Sequence, residues 1–489
     1  MDPNVEGGDS ADDWPEGWPG EALLEGRTRC DLPAATPPTE ESARRHGSGP
    51  ATRAHRSVFH NPAMAACRTR SVLLMDAVIR SGMLGDGRIR ALDGLGASGL
   101  RARRWLNETS AEVSARIDAT VCDLDATSLG WAAANHRAHP PDRIHRRQRL
   151  ESGRAGSTRT TAIADQKSTD FGTMLGDLRQ RVHDGGWQWL DIDPFGSPIP
   201  FLDSAIQSTS RRAVIEVTAT DVAALVGSKP AAGLRRYGAR VRLDGLAHDS
   251  GLRVLIASIA QICAKHDRGV EPLMSVWESH HLRTSLFIRR SAEGGNEVQN
   301  NIGWRVAEPT HAEIEMSMAA GLHPFGSSKE CEEAPTQPHA LLPLSYPIDR
   351  NDPRISGPLW IGPLHSSSIL EKMTEEKAES LCTPSEVDFD VFNNNSTDDE
   401  APFHLRVRAI RRAVRGLAEE ASLPANSGLF LTDHIHHHTP ISTPPSPARV
   451  VDYLCEAGHP AAVARYGEPA FRTAAPWAVI VAAVTEIAQ

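Results

Sequence analysis

From about residue 86 the chain alternates two patterns: short apolar runs rich in Val, Ile and aromatics, and longer stretches whose apolar positions recur every three or four residues. The short runs end in Gly, Pro, Thr or Asp and predict strands leading into turns. They are IRALD (89–93), ATVCD (119–123), TTAIA (160–164), WQWLDID (187–193) and RRAVIEVT (211–218). Helical spacing follows the glycine-rich turn after residue 93 as far as Arg104, and recurs in ATSLGWAAANHRA (126–138) and GLRVLIASIAQICAKH (251–266). LMSVWES (273–279) and RTSLFIRR (283–290) form a closing antiparallel pair. Strands alternating with helices predict an α/β fold with a parallel sheet covered on both faces.

After residue 293 the pattern changes. A polar stretch leads to a compact motif, SGPLWIGPLH (356–365), and then to an acidic, low-complexity segment (about 374–402) read as disordered. FHLRVRAIRRAVRGLAEEA (403–421) and ARVVDYLCEAGHPAAVARYG (448–467) have helical character. The expected organisation is a first domain over 22–293 and a smaller, mainly helical α+β C-terminal domain over 294–489. Residues 1–21, acidic and rich in Gly and Pro, read as a disordered leader.

Composition narrows the classes. A chain of 489 residues with 40% hydrophobic residues can bury two or three cores. No apolar run approaches the roughly 18–20 residues needed to span a bilayer, and no secretory leader opens the chain. The seven cysteines are scattered without a CxxC pair, which argues against a disulfide framework or a four-cysteine zinc site and favours a cytoplasmic setting. A net charge of -10 gives no global nucleic-acid footprint. Within it, RIHRRQRLESGRAGSTR (143–159) is locally positive, either a solvated loop or a patch for a phosphate backbone.

Gly94, Gly96 and Gly99 make a GxGxxG between a strand and a helix, where glycines permit a tight turn and close backbone approach to a ligand. Asp123 ends the next strand, where a carboxylate can accept both ribose hydroxyls. The pair indicates an adenosine-type site and suits NAD as well as S-adenosylmethionine.

The strand ending Asp191-Ile192-Asp193-Pro194-Phe195-Gly196-Ser197-Pro198 separates these. An acid, a proline and an aromatic at a strand's carboxyl end suit methylation of an exocyclic amine. The lone pair of guanine N2 is delocalised into the purine. A carboxylate accepting its N–H localises that pair and helps take the proton, while Phe195 offers a stacking face. Read structurally instead, Asp193 only caps a turn.

These residues carry a family resemblance. The chain resembles the tRNA guanine-N2 dimethyltransferases, which modify guanine-26 of tRNA. EGRTRC (25–30) looks like the family's opening strand and VFHNPAMAACRTRSV (58–72) like its FYNP…NRD segment, with His60, Cys67 and Thr69 substituted. ALDGLGASGLRARRW is similar to the cofactor loop, and DIDPFGSPIPFLDSAI to the catalytic segment. VTATDVAALVGSKPAAGLRRYGAR (217–240), SHHLR (279–283), SGPLWIGPLH and FRTAA (471–475) continue the series over about residues 22–480.

The resemblance implies a Rossmann-like S-adenosylmethionine-dependent methyltransferase sheet, tRNA as partner, and no membrane or obligate protein partner. Asp193 is then the catalytic acid–base residue, with Phe195 and Phe59 against the base. Arg68 and Arg101 hold the cofactor's methionyl carboxylate, unless they form ordinary salt bridges. Asp123 holds the ribose, and Gly94 and Gly96 shape its loop. Asp170 and Phe171, in DFGTML, frame the adenine; Asp165–Gln166 is a competing register. Asp191 orients the loop, and Thr218, Thr220 and Asp221 shape the pocket. Relatives carry two cysteine pairs and zinc before the GPLW segment; this chain has only Cys331 there, with His311 and His323, so no zinc is expected. His434, His436, His437 and His438 read as a solvated helix face.

Two other readings stay open here: an NAD-dependent oxidoreductase, and a non-catalytic tRNA-binding protein. The catalytic reading requires Asp193 to face the ligand cleft, free of any internal arginine.

Overall fold

The computed structural model describes residues 14–35, 56–141, 166–167, 170–278, 280–323, 338–385, 389, 403–435, 441, 443–464 and 469–488. The arginine-rich run 143–159, TTAIA, Asp165, Cys331 and His436–His438 lie outside these residues.

A hairpin of β1 (Glu21–Glu25) and β2 (Thr28–Leu32) precedes an eight-stranded sheet. In chain order the sheet contains β3 (Ile89–Gly94), β4 (Ile117–Asp123), β5 (Gln166–Lys167), β6 (Phe171–Leu175), β7 (Trp187–Ile192), β8 (Thr209–Ala219), β9 (Arg268–Glu278) and β10 (His281–Arg290). The spatial order is β5-β6-β4-β3-β7-β8-β10-β9. Strands β6, β4, β3, β7 and β8 are parallel, while β10 runs antiparallel to both β8 and β9. Leu92, Trp189, Leu190, Ile192, Val214 and Ile215 are all fully buried, as central parallel strands covered on both faces require. Ligands bind such sheets beyond the carboxyl ends of the strands, where β3, β4, β7 and β8 all finish.

The sequence placed the strand beside β4 at TTAIA; it is Phe171–Leu175 instead. FGTML supplies the apolar run that burial between two helical layers demands. The leader also differs from expectation over 14–20, where Trp14 stacks on Trp18 at 5.0 Å and Trp18 packs against Trp131 at 5.3 Å.

Beyond β10, β11 (Ile302–Ala307), β12 (His339–Pro343) and β13 (Ile355–Trp360) form one small sheet. A second contains β14 (Gly428–Leu431), β15 (Ala461–Val463) and β16 (Ala470–Thr473). Part of the C-terminal half packs into the cores of the first half. Ile369, Leu370, Met373, Leu381, Ile410 and Val414 share one core with Val72, Leu73, Trp105 and Trp189. Leu359 and Trp360 belong to the core on the other face of the sheet. Three further clusters have all their buried residues beyond residue 293, around Phe430 and Trp477, around Trp304 and Leu342, and around Leu429 and Ala470. The acidic stretch expected to be disordered opens with a helix, Glu375–Cys382, whose Glu375 and Glu379 pair with Arg411. No helix among the described residues is long and apolar enough to cross a membrane.

Candidate active site

Asp93, the last charged residue of β3, is buried at the centre of the carboxyl edge. The chain then turns through Leu95 and Ala97, both at positive φ, into the helix Leu100–Glu108. Gly94 and Gly96 are required by packing. A Cβ at Gly94 would lie 2.8 Å from Leu178 Cδ2, and one at Gly96 would lie 2.7 Å from Val121 Cγ1. Asp123, at the end of β4, braces this turn: Oδ2 accepts from Ala97 N at 2.9 Å and Oδ1 from Asp125 N at 3.0 Å. The carboxylate stands beside the glycine turn, where the ribose role needs it.

Asp170 and Phe171 do not stand there. Phe171 pairs with Ala119, and Leu175 with Asp123, so Asp170 and Phe171 lie at the amino end of β6. At about 3.3 Å per residue they are roughly 13 Å from the carboxyl edge. Both are buried; Phe171 stacks on His136 at 4.5 Å, and Asp170 lies 3.4 Å from His136 Nε2. The adenine assignment is corrected on this ground. The edge of β6 instead presents Gly176 and Asp177. Gly176 N donates to Asp123 O at 2.9 Å, and Asp177 caps the helix Leu178–Arg181. The available signal was Gly-Asp directly after an apolar run and before a helical one.

The two cofactor arginines are engaged by carboxylates. Arg68 closes its fork on Glu25, with Nε and Nη2 each 2.6 Å from a carboxylate oxygen, and Nη2 also reaches Asn61 O at 2.9 Å. It pins the Phe59–Asn61 loop to β1, the salt-bridge reading of this residue. Burial alone would push the Glu25 carboxyl up; Arg68, then Arg104, outweigh it and hold the group at about 2.

Arg101 is central to the cleft. Nη2 donates to Asp193 Oδ2 at 2.5 Å, while Nη1 lies 3.4 Å from Asp191 and Nε 3.8 Å from Asp93. The expectation that Asp193 stands free of internal arginines is therefore corrected: one of its oxygens is held. Oδ1 has no protein hydrogen bond among the described residues.

Asp191 is fully buried and receives Arg283, whose guanidinium also reaches Thr218 Oγ1 at 2.7 Å and Glu216 at 3.0 Å. Its contacts are those of a buried anchor for Arg283 and Arg101. Burial drives the Asp93 carboxyl up to about 7, opposed by Arg101 and assisted by Asp191 and Asp193. Arg283, in SHHLR, is the anchor that residue-level reading left without a role.

Past Asp193 the chain lifts Phe195 into solvent, 78% exposed, and Phe59 meets it edge-on with centroids 4.8 Å apart and is 40% exposed. An ordinary core role for Phe59 is excluded by that exposure. Gly196, at φ 82, is clamped to Thr220: its N–H donates to Thr220 Oγ1 at 2.6 Å, and Thr220 N–H returns to Gly196 O at 3.0 Å. Ser197 Oγ lies 2.9 Å from Tyr237 Oη, which donates to Asp221 Oδ1 at 2.6 Å. Thr220 and Asp221 thus fix the loop that carries Phe195. Among the described residues no group of three or more His, Cys, Asp or Glu is arranged to hold a metal.

A family model described as N2,N2-dimethylguanosine tRNA methyltransferase matches residues 166–485. A tRNA (guanine(26)-N(2))-dimethyltransferase of Thermococcus kodakarensis is 27% identical over 424 residues, covering 86% of this chain and 92% of the relative. The Aeropyrum pernix enzyme of the same name is also 27% identical, covering 88% and 89%. The solved structure of Trm1 from Pyrococcus horikoshii with S-adenosyl-L-methionine superposes with a TM-score of 0.65 at 22% identity, covering 95% of this chain and 99% of that one. The match to the family model spans β7, Phe195 and the C-terminal sheets alike, and the chain belongs to the N2,N2-dimethylguanosine tRNA methyltransferase family.

Proposed function

We propose that this chain transfers methyl groups from S-adenosyl-L-methionine to the exocyclic N2 of guanine-26 in tRNA, with Asp193 and the Phe59–Phe195 pair handling the base. One observation carries the reading: two solvent-exposed aromatic rings stand in edge contact, one of them two residues beyond Asp193 at the carboxyl end of β7.

The cleft's donor set fits the cofactor. Asp93 Oδ2 and Asp191 Oδ1 are buried acceptors without a hydrogen bond among the described residues. Three aspartates against Arg101 and Arg283 suit a ligand bearing a sulfonium and an ammonium. Asp123 takes the ribose, and the Leu175–Asp177 edge the adenine side. When bound, S-adenosyl-L-methionine supplies an electrophilic methyl group.

The residues of the chain then act on the base. Guanine leaves its stack at a cost of a few kcal/mol, offset by stacking on Phe195 and Phe59. Arg101 holds Asp193 Oδ2, so a carboxylate wholly free of arginine is not what the cleft offers; the reading rests on Oδ1 alone as the acceptor for the amine N–H. That hydrogen bond localises the nitrogen lone pair, and the departing proton moves toward Oδ1. Holding the amine in line supplies much of the remaining rate.

The same geometry weighs against a non-catalytic tRNA binder, which has no use for a carboxylate so positioned. The test is nucleoside mass spectrometry of unmodified tRNA incubated with the protein and S-adenosyl-L-methionine. Dimethylguanosine that appears with wild-type tRNA and is absent from tRNA carrying adenosine at position 26 supports the proposal; methylated adenine or cytosine, or no product, refutes it.

A further inference from the structure

The helix Pro230–Tyr237 carries neither the cofactor loop nor the aromatic pair, yet it is fastened to both sides of the catalytic loop. Its inner face is Gly233 and Tyr237, both buried. A Cβ at Gly233 would lie 2.6 Å from Ala224 O, so the helix backbone lies directly on the Val222–Leu225 turn. Tyr237 Oη reaches Ser197 Oγ, two residues beyond Phe195, and Asp221. The helix therefore stands on the rim of the base platform.

Its outer side is basic. Lys229, Arg235, Arg236 and Arg240 are exposed, and Arg240 Nη1 donates to Arg350 O at 3.1 Å, bringing the exposed Arg350 alongside. Among the described residues only Arg236 of these five has an ion pair, with Asp221 at 2.8 Å. Elsewhere in this acidic chain many surface arginines are answered: Arg411 and Arg415 by Glu375, Arg354 by Glu313 and Asp352. Leu234, 56% exposed, adds an apolar contact beside the cations.

We propose that this helix and the adjoining Arg240–Arg350 pair form the docking surface for the phosphate backbone of the RNA strand flanking the target guanosine. The proposal rests on tRNA being the substrate. Guanidinium and ammonium groups unpaired by carboxylates match phosphates spaced along a strand, and counterion release makes the contact salt-dependent. The tie through Tyr237 places that contact beside the ring on which the base stacks.

The experiment compares the full-length wild type with the double variant Lys229→Glu/Arg235→Glu on tRNA, across a salt series. The expected result is a loss of about tenfold or more in kcat/KM, kcat at saturating tRNA within about twofold, and a salt slope shallower by about one to two. The charge-preserving variant Lys229→Arg/Arg235→Lys retains most of the wild-type kcat/KM, which separates charge from folding. Arg211→Glu/Arg212→Glu, at the exposed start of β8, is the control for net charge. Unchanged kcat/KM and slope in the first variant, or an equal loss in the control, overturns the docking surface. Absence of methylation by the wild type refutes the tRNA reading instead.

Discussion

Arg101 Nη2 lies 2.5 Å from Asp193 Oδ2, and the same guanidinium approaches Asp191 and Asp93. One cation thus joins the neighbouring strands β3 and β7, and the Asp193 carboxylate is oriented rather than loose. The arrangement engages one of its two oxygens with the protein; on the proposed mechanism the other is the one that meets the amine.

Asp193→Ala is expected to lower kcat by about 10²–10⁴-fold while leaving S-adenosyl-L-methionine binding within about threefold of wild type. Isothermal titration and methyl-transfer assays read the two separately. Arg101→Ala leaves Asp191 and Asp193 facing one another without their shared cation and costs about 3–5 kcal/mol of stability. Thermal unfolding that is unaltered in that variant contradicts the role assigned to Arg101.

Phe195 and Phe59 are exposed enough that their truncation leaves the fold alone. Phe195→Leu is expected to alter stability by less than about 0.5 kcal/mol. Stacking is worth roughly 1–3 kcal/mol per base, which puts the loss in kcat/KM at about 5- to 150-fold. Phe59→Leu follows the same pattern. Because the rings touch, the double variant loses less than the sum of the singles. Strict additivity in steady-state kinetics separates the two rings.

Much of the fold is legible in the chain because parallel strands buried on both faces write themselves as apolar runs. IRALD, WQWLDID and RRAVIEVT are observed within a few residues of their expected ends. The catalytic segment is legible because acid, proline and aromatic are adjacent. What was misplaced depends on pairing across long separations. Arg68 and Glu25 are 43 residues apart, and Arg101 and Asp193 are 92 apart. An arginine before a cofactor loop looks the same in sequence whether it meets a ligand or a buried glutamate. The strand beside β4 is expected at TTAIA on β propensity alone, whereas burial selects Phe171–Leu175, whose Phe171 shares a core with Val121 and Ala132. Helical periodicity over 403–414 likewise identifies a helix but not that its Ile410 and Val414 pack into the first core.

Asp93 predicts a pH dependence of stability. Burial raises its folded value from 3.8 to about 7, so between those values the native state holds a proton that the unfolded chain has released. Stability accordingly falls as pH rises from about 4 to about 7 and levels off above. Asp93→Asn is expected to flatten that decline in denaturant titrations. A decline of the same slope in the variant removes Asp93 as its source.

Glu25 predicts the opposite slope at lower pH. Its carboxyl is buried, which by itself favours the protonated form, but the forked contact with Arg68 and the approach of Arg104 at 2.7 Å bring it from 4.5 down to about 2. The stabilisation is complete above about 4.5 and is lost as pH falls through about 2, on the order of 3 kcal/mol in all. Glu25→Gln removes the titrating group and leaves Arg68 and Arg104 buried, the latter with Glu108 still in contact. The variant should be less stable at pH 7 and should lose less further stability between pH 4.5 and 2 than wild type. Since Arg68 also holds Asn61 O, the loosened loop carries Phe59 with it. Glu25→Gln is therefore expected to weaken kcat/KM for tRNA at pH 7 as well, and a variant destabilised by heat yet fully active would show that the Arg68 tie serves the fold alone.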